Sequence, residues 1–215
     1  MNNRMYRITA FAGRCFLELV RDPLAYVFGL SFLMLFTAIL VSGDRSEAFL
    51  VRLYISPMQR ADFLAGYALP VVLLAVLQGI LTMAVSVMIA LFTDVPLSLA
   101  GLFAVIPVSV PAILLFIGFG LLFGALFNPK SAPPLCSVVI SLASFLGGMW
   151  MELDTMPPDG VFAAICNVLP FRHAVDAARL AMAGDFAEIG GHPAVVCVWA
   201  AAVWFAAGLA FRKRL

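Results

Sequence analysis

SLAGLFAVIPVSVPAILLFIGFGLLFGALF, residues Ser98–Phe127, runs for thirty residues without a charged side chain. It is long and apolar enough to cross a bilayer as a helix, the form that pairs its own backbone N–H and C=O groups where no water is available. Outward from it, four more stretches qualify: Ala25–Gly43 and Gly66–Phe92 before it, Pro133–Met151 and Ala194–Phe211 after it. The chain as a whole is 64% hydrophobic and 12% charged, with a mean hydropathy of +1.07, more apolar surface than a water-soluble fold can hide. The expected fold class is therefore all-α, a polytopic membrane helical bundle with five crossings. No alternating pattern suggests a barrel, and no polar stretch is long enough for a separate soluble domain, so residues 1–215 are expected to form a single transmembrane domain.

The basic residues do not fit five simple crossings. Arg4, Arg7, Arg14, Arg21, Arg172 and Arg179 would share one side, and Arg45, Arg52, Arg60, Lys130, Arg212, Lys213 and Arg214 the other, six against seven. Were the N-terminal arm on the same side as the loop after the first segment, the split would be eleven against two, the asymmetry that sets membrane orientation. Either a crossing is missing or the first segment does not fully cross.

The arm itself has Ile8, Phe11, Ala12, Cys15, Phe16 and Leu19 on one helical face and Arg7, Arg14, Glu18 and Arg21 on another, until Pro23. It reads as an interfacial helix or as a charged topology anchor, and lacks the small-residue cleavage site of a secretion leader. In the loop from Asp44 to Asp62, Asp44 and Glu47 have the spacing of a capping box. Phe49, Leu50, Leu53 and Tyr54 follow as an apolar face, with Arg52 among them, and Ser56-Pro57 closes the helix. Such a helix either docks in a groove of a soluble partner or rests on lipid.

Within the membrane the residues suit packing more than chemistry. Ser137, Ser141, Ser144 and Gly148 recur at 4, 3, 4 spacing on one face, where they allow close helix contact or line a path. Gly120 and Gly124 make a further small-residue step, and Pro107 and Pro111 are expected to bend their segment. Gln78, deep in the second segment, is expected to hydrogen-bond inside the bundle. No ionisable residue lies in the middle of a crossing, which argues against a proton- or ion-coupled pump.

No catalytic residues are expected: the chain has no phosphate-cradling Gly-rich loop with Lys, no His-Glu-x-x-His pair and no Gly-x-Ser-x-Gly turn. Cys15, Cys136, Cys166 and Cys197 are scattered, so neither a disulfide framework nor a metal site is expected, and nothing points to nucleic acid. Between Glu152 and His192, Arg172 with Asp176 and Asp176 with Arg179 have the spacings of helical ion pairs, with His173 alongside. That cluster is a solvated face or a substrate gate.

Four pieces taken in order resemble the permeases of type 2 ATP-binding-cassette exporters. They are the arm ending Arg21-Asp22-Pro23, the run from Asp44 to Pro57, Gly147-Gly148 followed by Met156-Pro157, and Leu169-Pro170-Phe171 with His173 to Arg179. The resemblance implies that Asp44, Glu47, Phe49, Leu50, Arg52, Leu53 and Tyr54 belong to a cytoplasmic coupling helix pushed by a separate ATPase, which carries the ATP and Mg²⁺. It implies that Arg172, His173, Asp176 and Arg179 lie on short external helices, and that the chain pairs with itself or a sister permease in a cell membrane. Members usually have six crossings, so the first crossing and its external loop are expected to be missing near Pro23–Val27. The alternatives are a non-transporting assembly or regulatory protein, or an inactive shortened permease.

Overall fold

The structure is a computed structural model that describes residues 30–46, 60–93, 99–148, 153 and 160–213. Its elements are seven helices: α1 (Leu30–Ser46), α2 (Arg60–Thr93), α3 (Leu99–Leu126), α4 (Ala132–Leu146), α5 (Val161–Val168), α6 (Pro170–Ala183) and α7 (His192–Lys213), with no strand among the described residues. Three contain stretches long and apolar enough to cross a membrane: Leu64–Leu81 in α2, Ala100–Leu126 in α3 and His192–Arg212 in α7. The pair α5 and α6, bent by 75° at its break, has the make-up of a broken or re-entrant span and brings the number among the described residues to four at most.

Two of the five expected crossings look different. The first is helical from Leu30, with residues 25–29 outside the described part. The fourth, expected over Pro133–Met151, ends at Leu146 after 15 residues, a rise of roughly 22 Å that falls short of the ~30 Å apolar core. The cause is local: Gly148 takes φ 67, a left-handed turn that glycine adopts without strain and that stops the helix. In contrast α3 is unbroken through Pro107 and Pro111, and α2 through Pro70.

Packing divides the chain into two compact units. The first comprises residues 1–78, 113–137 and 201–215, and the second 79–112 and 138–200. In the first, Leu33, Phe36, Leu40 and Val41 of α1 meet Tyr67, Val71 and Leu74 of α2, Ile113, Ile117 and Leu121 of α3, and Ala207 and Phe211 of α7. The glycine step of α3 is what admits α1. A Cβ on Gly120 would stand 2.6 Å from the Met34 carbonyl oxygen and from Thr37 Cβ, and one on Gly124 2.6 Å from Val41 Cβ. That is the close backbone approach the small-residue spacing predicts. Trp204 of α7 lies over Gly118 and donates its indole N–H to the Leu114 carbonyl at 2.8 Å.

The second unit is built on shorter pieces. Leu169 ends α5 in an extended conformation and also caps α6, where Pro170 takes a first-turn position that needs no backbone N–H. At the other end Gly184, at φ 88, closes α6: its N–H bonds to the Leu180 and Ala181 carbonyls, and Asp185 N–H bonds back to Leu180. Gly101 of α3 sits against the Ala181 and Met182 carbonyls, where a Cβ would come within 2.5 and 2.7 Å.

Candidate functional site

The described part of the loop region is its base. Asp44, Arg45 and Ser46 are the last turn of α1, so Asp44 does not open a new helix as the capping-box spacing with Glu47 suggested. The apolar run of α1 continues through Gly43 because Asp44 and Arg45 find partners on neighbouring helices. The Asp44 carboxylate is only 4% exposed and accepts a hydrogen bond from the fully buried Tyr67 hydroxyl at 2.8 Å. A negative charge at a helix C-terminus opposes the helix dipole, and Arg45 beside it has the favourable sign. Arg45 also donates from Nη1 to the Ala125 carbonyl, one of the last-turn carbonyls that α3 leaves without a helical partner, and from Nη2 to Asn128 Oδ1 at 3.1 Å. Asp62, in the first turn of α2, is likewise buried and suits that end of the dipole. Glu47, Phe49, Leu50, Arg52, Leu53 and Tyr54, like the N-terminal arm, lie outside the described residues.

The serine stripe is altered at its end. Ser137 and Ser141 are exposed and Ser144 half-buried, but Gly148 lies beyond α4 and leaves the helical face. Ser137 and Ser144 return their hydroxyls to carbonyls of their own helix, Pro133 at 3.1 Å and Ile140 at 3.0 Å. Ala143, which the 4, 3, 4 spacing leaves off the stripe, is buried, and its carbonyl faces Gly147. Gln78 is buried at the point where α2 leaves the first unit.

The polar residues of α6 are brought together only in part. Arg172 and Asp176 form the expected pair at 3.3 Å, and Arg172 also donates to Asn167 Oδ1 at 2.6 Å. Arg179 turns instead to the Gly148 carbonyl, at 2.8 Å, and so ties α6 to the turn after α4. His173 reaches the Asn167 carbonyl at 2.9 Å and His192 at 3.0 Å. Trp199 of α7 donates to the Val168 carbonyl at 3.1 Å, where α5 ends.

Sequence reasoning missed Tyr67, Asn128, Asn167 and His192. Tyr67 was hidden inside an apolar run, although a hydroxyl-bearing ring five residues after Asp62 is the type of residue that sits where a crossing meets its polar end. Among the described residues no three His, Cys, Asp or Glu side chains come together as a metal site. Among the described residues the arrangement holds helix ends in place.

Comparison with known families matches residues 5–183 to one described as the ABC-2 type transporter. No curated protein matches the chain significantly. A match over most of the chain, carried by several helices apolar enough to cross a membrane, leaves one reading: the chain belongs to the ABC-2 type transporter family, as a multi-pass membrane permease domain that is itself non-catalytic.

Proposed function

We propose that the chain is the permease subunit of an ATP-binding-cassette exporter. It forms the substrate path together with a second copy or a sister permease, and cytoplasmic ATPase subunits, which bind the ATP and Mg²⁺, drive it. The observation that carries this reading is the tie at the base of the loop between α1 and α2. That loop leaves at Ser46 and returns at Arg60, and the Tyr67 to Asp44 hydrogen bond joins its two stems. Arg45 extends the tie to the end of α3 through Ala125 and Asn128. A push on the loop is thereby delivered to three helices together instead of being lost in one fraying end.

In this reading Asp44 and Arg45 are positioning residues, and the apolar face of Phe49, Leu50, Leu53 and Tyr54 meets the ATPase. The loop and Arg212-Lys213-Arg214 are cytoplasmic and residues 152–192 external, which places seven of the nine basic residues after Gly43 inside. The chain crosses five times as one domain, α1 being the visible part of the first crossing and α4 a short one. The exposed serines of α4 face the partner permease or the path.

The test is Leu53→Asp. An unpaired carboxylate carried into an apolar groove costs on the order of several kcal/mol. The variant is expected to insert in the membrane normally and to lose co-purification with its ATP-binding-cassette ATPase subunit. Full retention of the ATPase would remove the coupling role from this loop.

A further inference from the structure

His173 on α6 and His192 at the first position of α7 bring their Nδ1 atoms to 3.0 Å, with ring centroids 5.1 Å apart. The surrounding atoms decide which nitrogens carry protons. His173 Nε2 lies 2.9 Å from the Asn167 carbonyl oxygen, which only accepts, so the neutral ring holds its proton there and turns a bare Nδ1 lone pair toward His192. This is how metal-ligating imidazoles are held: the far N–H is anchored on a backbone carbonyl and the near nitrogen is free to coordinate. The neighbouring cation does not compete for the site's lone pairs, because Arg172 is engaged by Asn167 Oδ1 and the Asp176 carboxylate. Both rings are half-buried and within reach of solvent.

We propose that His173 and His192 form a two-imidazole chelate for a divalent transition ion of the Zn²⁺, Cu²⁺ or Ni²⁺ class, with water in the remaining positions. No third His, Cys, Asp or Glu joins them among the described residues. Two Zn–N bonds of about 2.0–2.1 Å at a tetrahedral angle separate the nitrogens by roughly 3.4 Å, a few tenths of an ångström more than the hydrogen-bonded pair. Each lone pair must also swing about 35° off the line between the nitrogens to meet the ion at a tetrahedral angle, a rotation the two half-buried rings make about their side-chain bonds. On binding, His192 moves its proton from Nδ1 to Nε2 through solvent, so both rings stay neutral and the ion brings its whole charge. Imidazole nitrogens select this class over Mg²⁺ and Ca²⁺, which require oxygen ligands. The ion would pin α6 to the start of α7 across the turn that contains Gly184, Gly190 and Gly191, and the site stands whether or not the chain exports anything.

The experiment uses the full chain, free of any histidine tag, in detergent and in a background with Cys15→Ser and Cys197→Ser, the latter being the exposed thiol among the described residues. Calorimetric titration with Zn²⁺ is expected to show one ion per chain, and His173→Ala or His192→Ala to lose affinity by more than about 100-fold, beyond the roughly 10–100-fold that outer-shell changes cost. Zn²⁺ is expected to raise the unfolding midpoint of the parent and not of either variant. Absence of Zn²⁺ binding by the parent, or undiminished binding by the double alanine variant, overturns the proposal. If a variant does not fold, electron paramagnetic resonance of Cu²⁺ on the parent decides: coupling to two nitrogens supports the chelate, and an oxygen-only spectrum rejects it.

Discussion

The two packed units solve one problem in opposite ways. In the first, long helices satisfy their own backbones, and contact depends on shape: Gly120 and Gly124 let α1 settle on α3 with atoms of Met34, Thr37 and Val41 where a Cβ would be. In the second, breaks at Gly148, Leu169 and Gly184 leave carbonyls without helical partners, and long polar side chains take them up, Arg179 at Gly148 and Trp199 at Val168. Where apolar helices run whole, small residues set the closest approach, and donors such as Trp204 and Arg45 add single bonds to it. Where they are interrupted, side-chain donors decide the packing, because an unpaired backbone group away from water costs about as much as a lost hydrogen bond.

That contrast is most easily broken at Gly120. Gly120→Val pushes Cβ against a backbone oxygen that cannot move aside, so the cost is expected at or above the upper end of the about 1–3 kcal/mol seen for overpacked cores. In detergent the variant should unfold at markedly lower temperature or elute as aggregate. Gly208→Ala in α7 is the control: apart from its own helix backbone and chain neighbours, nothing lies within 4 Å of where a Cβ would stand, and a helical alanine is favoured over glycine by about 0.5–1 kcal/mol. Equal behaviour of the two variants would show that α1 does not pack on α3 as described.

The next effect tests the polar end of the first unit. Tyr67→Phe leaves a buried carboxylate short of a donor and is expected to cost about 1–3 kcal/mol in thermal unfolding. Pairing it with Asp44→Leu, which removes the acceptor as well, should recover part of the loss, because replacing both partners is cheaper than orphaning one. A double variant less stable than Tyr67→Phe alone would assign Asp44 a role independent of Tyr67.

These residues also mark how far the sequence could be read. The apolar runs of α2, α3 and α7, the Gly120–Gly124 contact and the Arg172–Asp176 pair follow from local spacing, and the structure has them. Asp44 was misplaced because its spacing to Glu47 imitates a helix start, while its actual partner, Tyr67, is 23 residues away. Arg179 was assigned to Asp176 by i, i+3 spacing and went instead to a carbonyl 31 residues away, exposed by a turn whose left-handed glycine no periodicity reveals. Local pattern places elements; long-range satisfaction of polar groups chooses among partners that local pattern ranks equally.

Arg179→Met tests the second unit in the same terms. It withdraws the donor from the Gly148 carbonyl while keeping a long apolar stem, and because Arg179 is largely exposed the loss is expected to be about 1 kcal/mol. Hydrogen exchange at the turn after α4 should quicken while the first-unit core stays protected. A uniform change in both would mean that the two do not respond separately.

The smallest expected effect on the isolated chain separates packing from function on α4. Spacing singles out Ser144 and its stripe and leaves Ala143 off it, but Ala143 is only 6% exposed. Ala143→Leu should therefore destabilise the chain by about 1–3 kcal/mol. Ser141 is exposed, so Ser141→Leu should move stability by no more than about 0.5 kcal/mol. If the serine face meets a partner permease or the path, Ser141→Leu will nonetheless lower dimer recovery or transport, since leucine holds apart backbones that serine lets approach. A Ser141→Leu chain that is stable, dimeric and fully active would identify that face as lipid-facing and leave the stripe without a role in assembly.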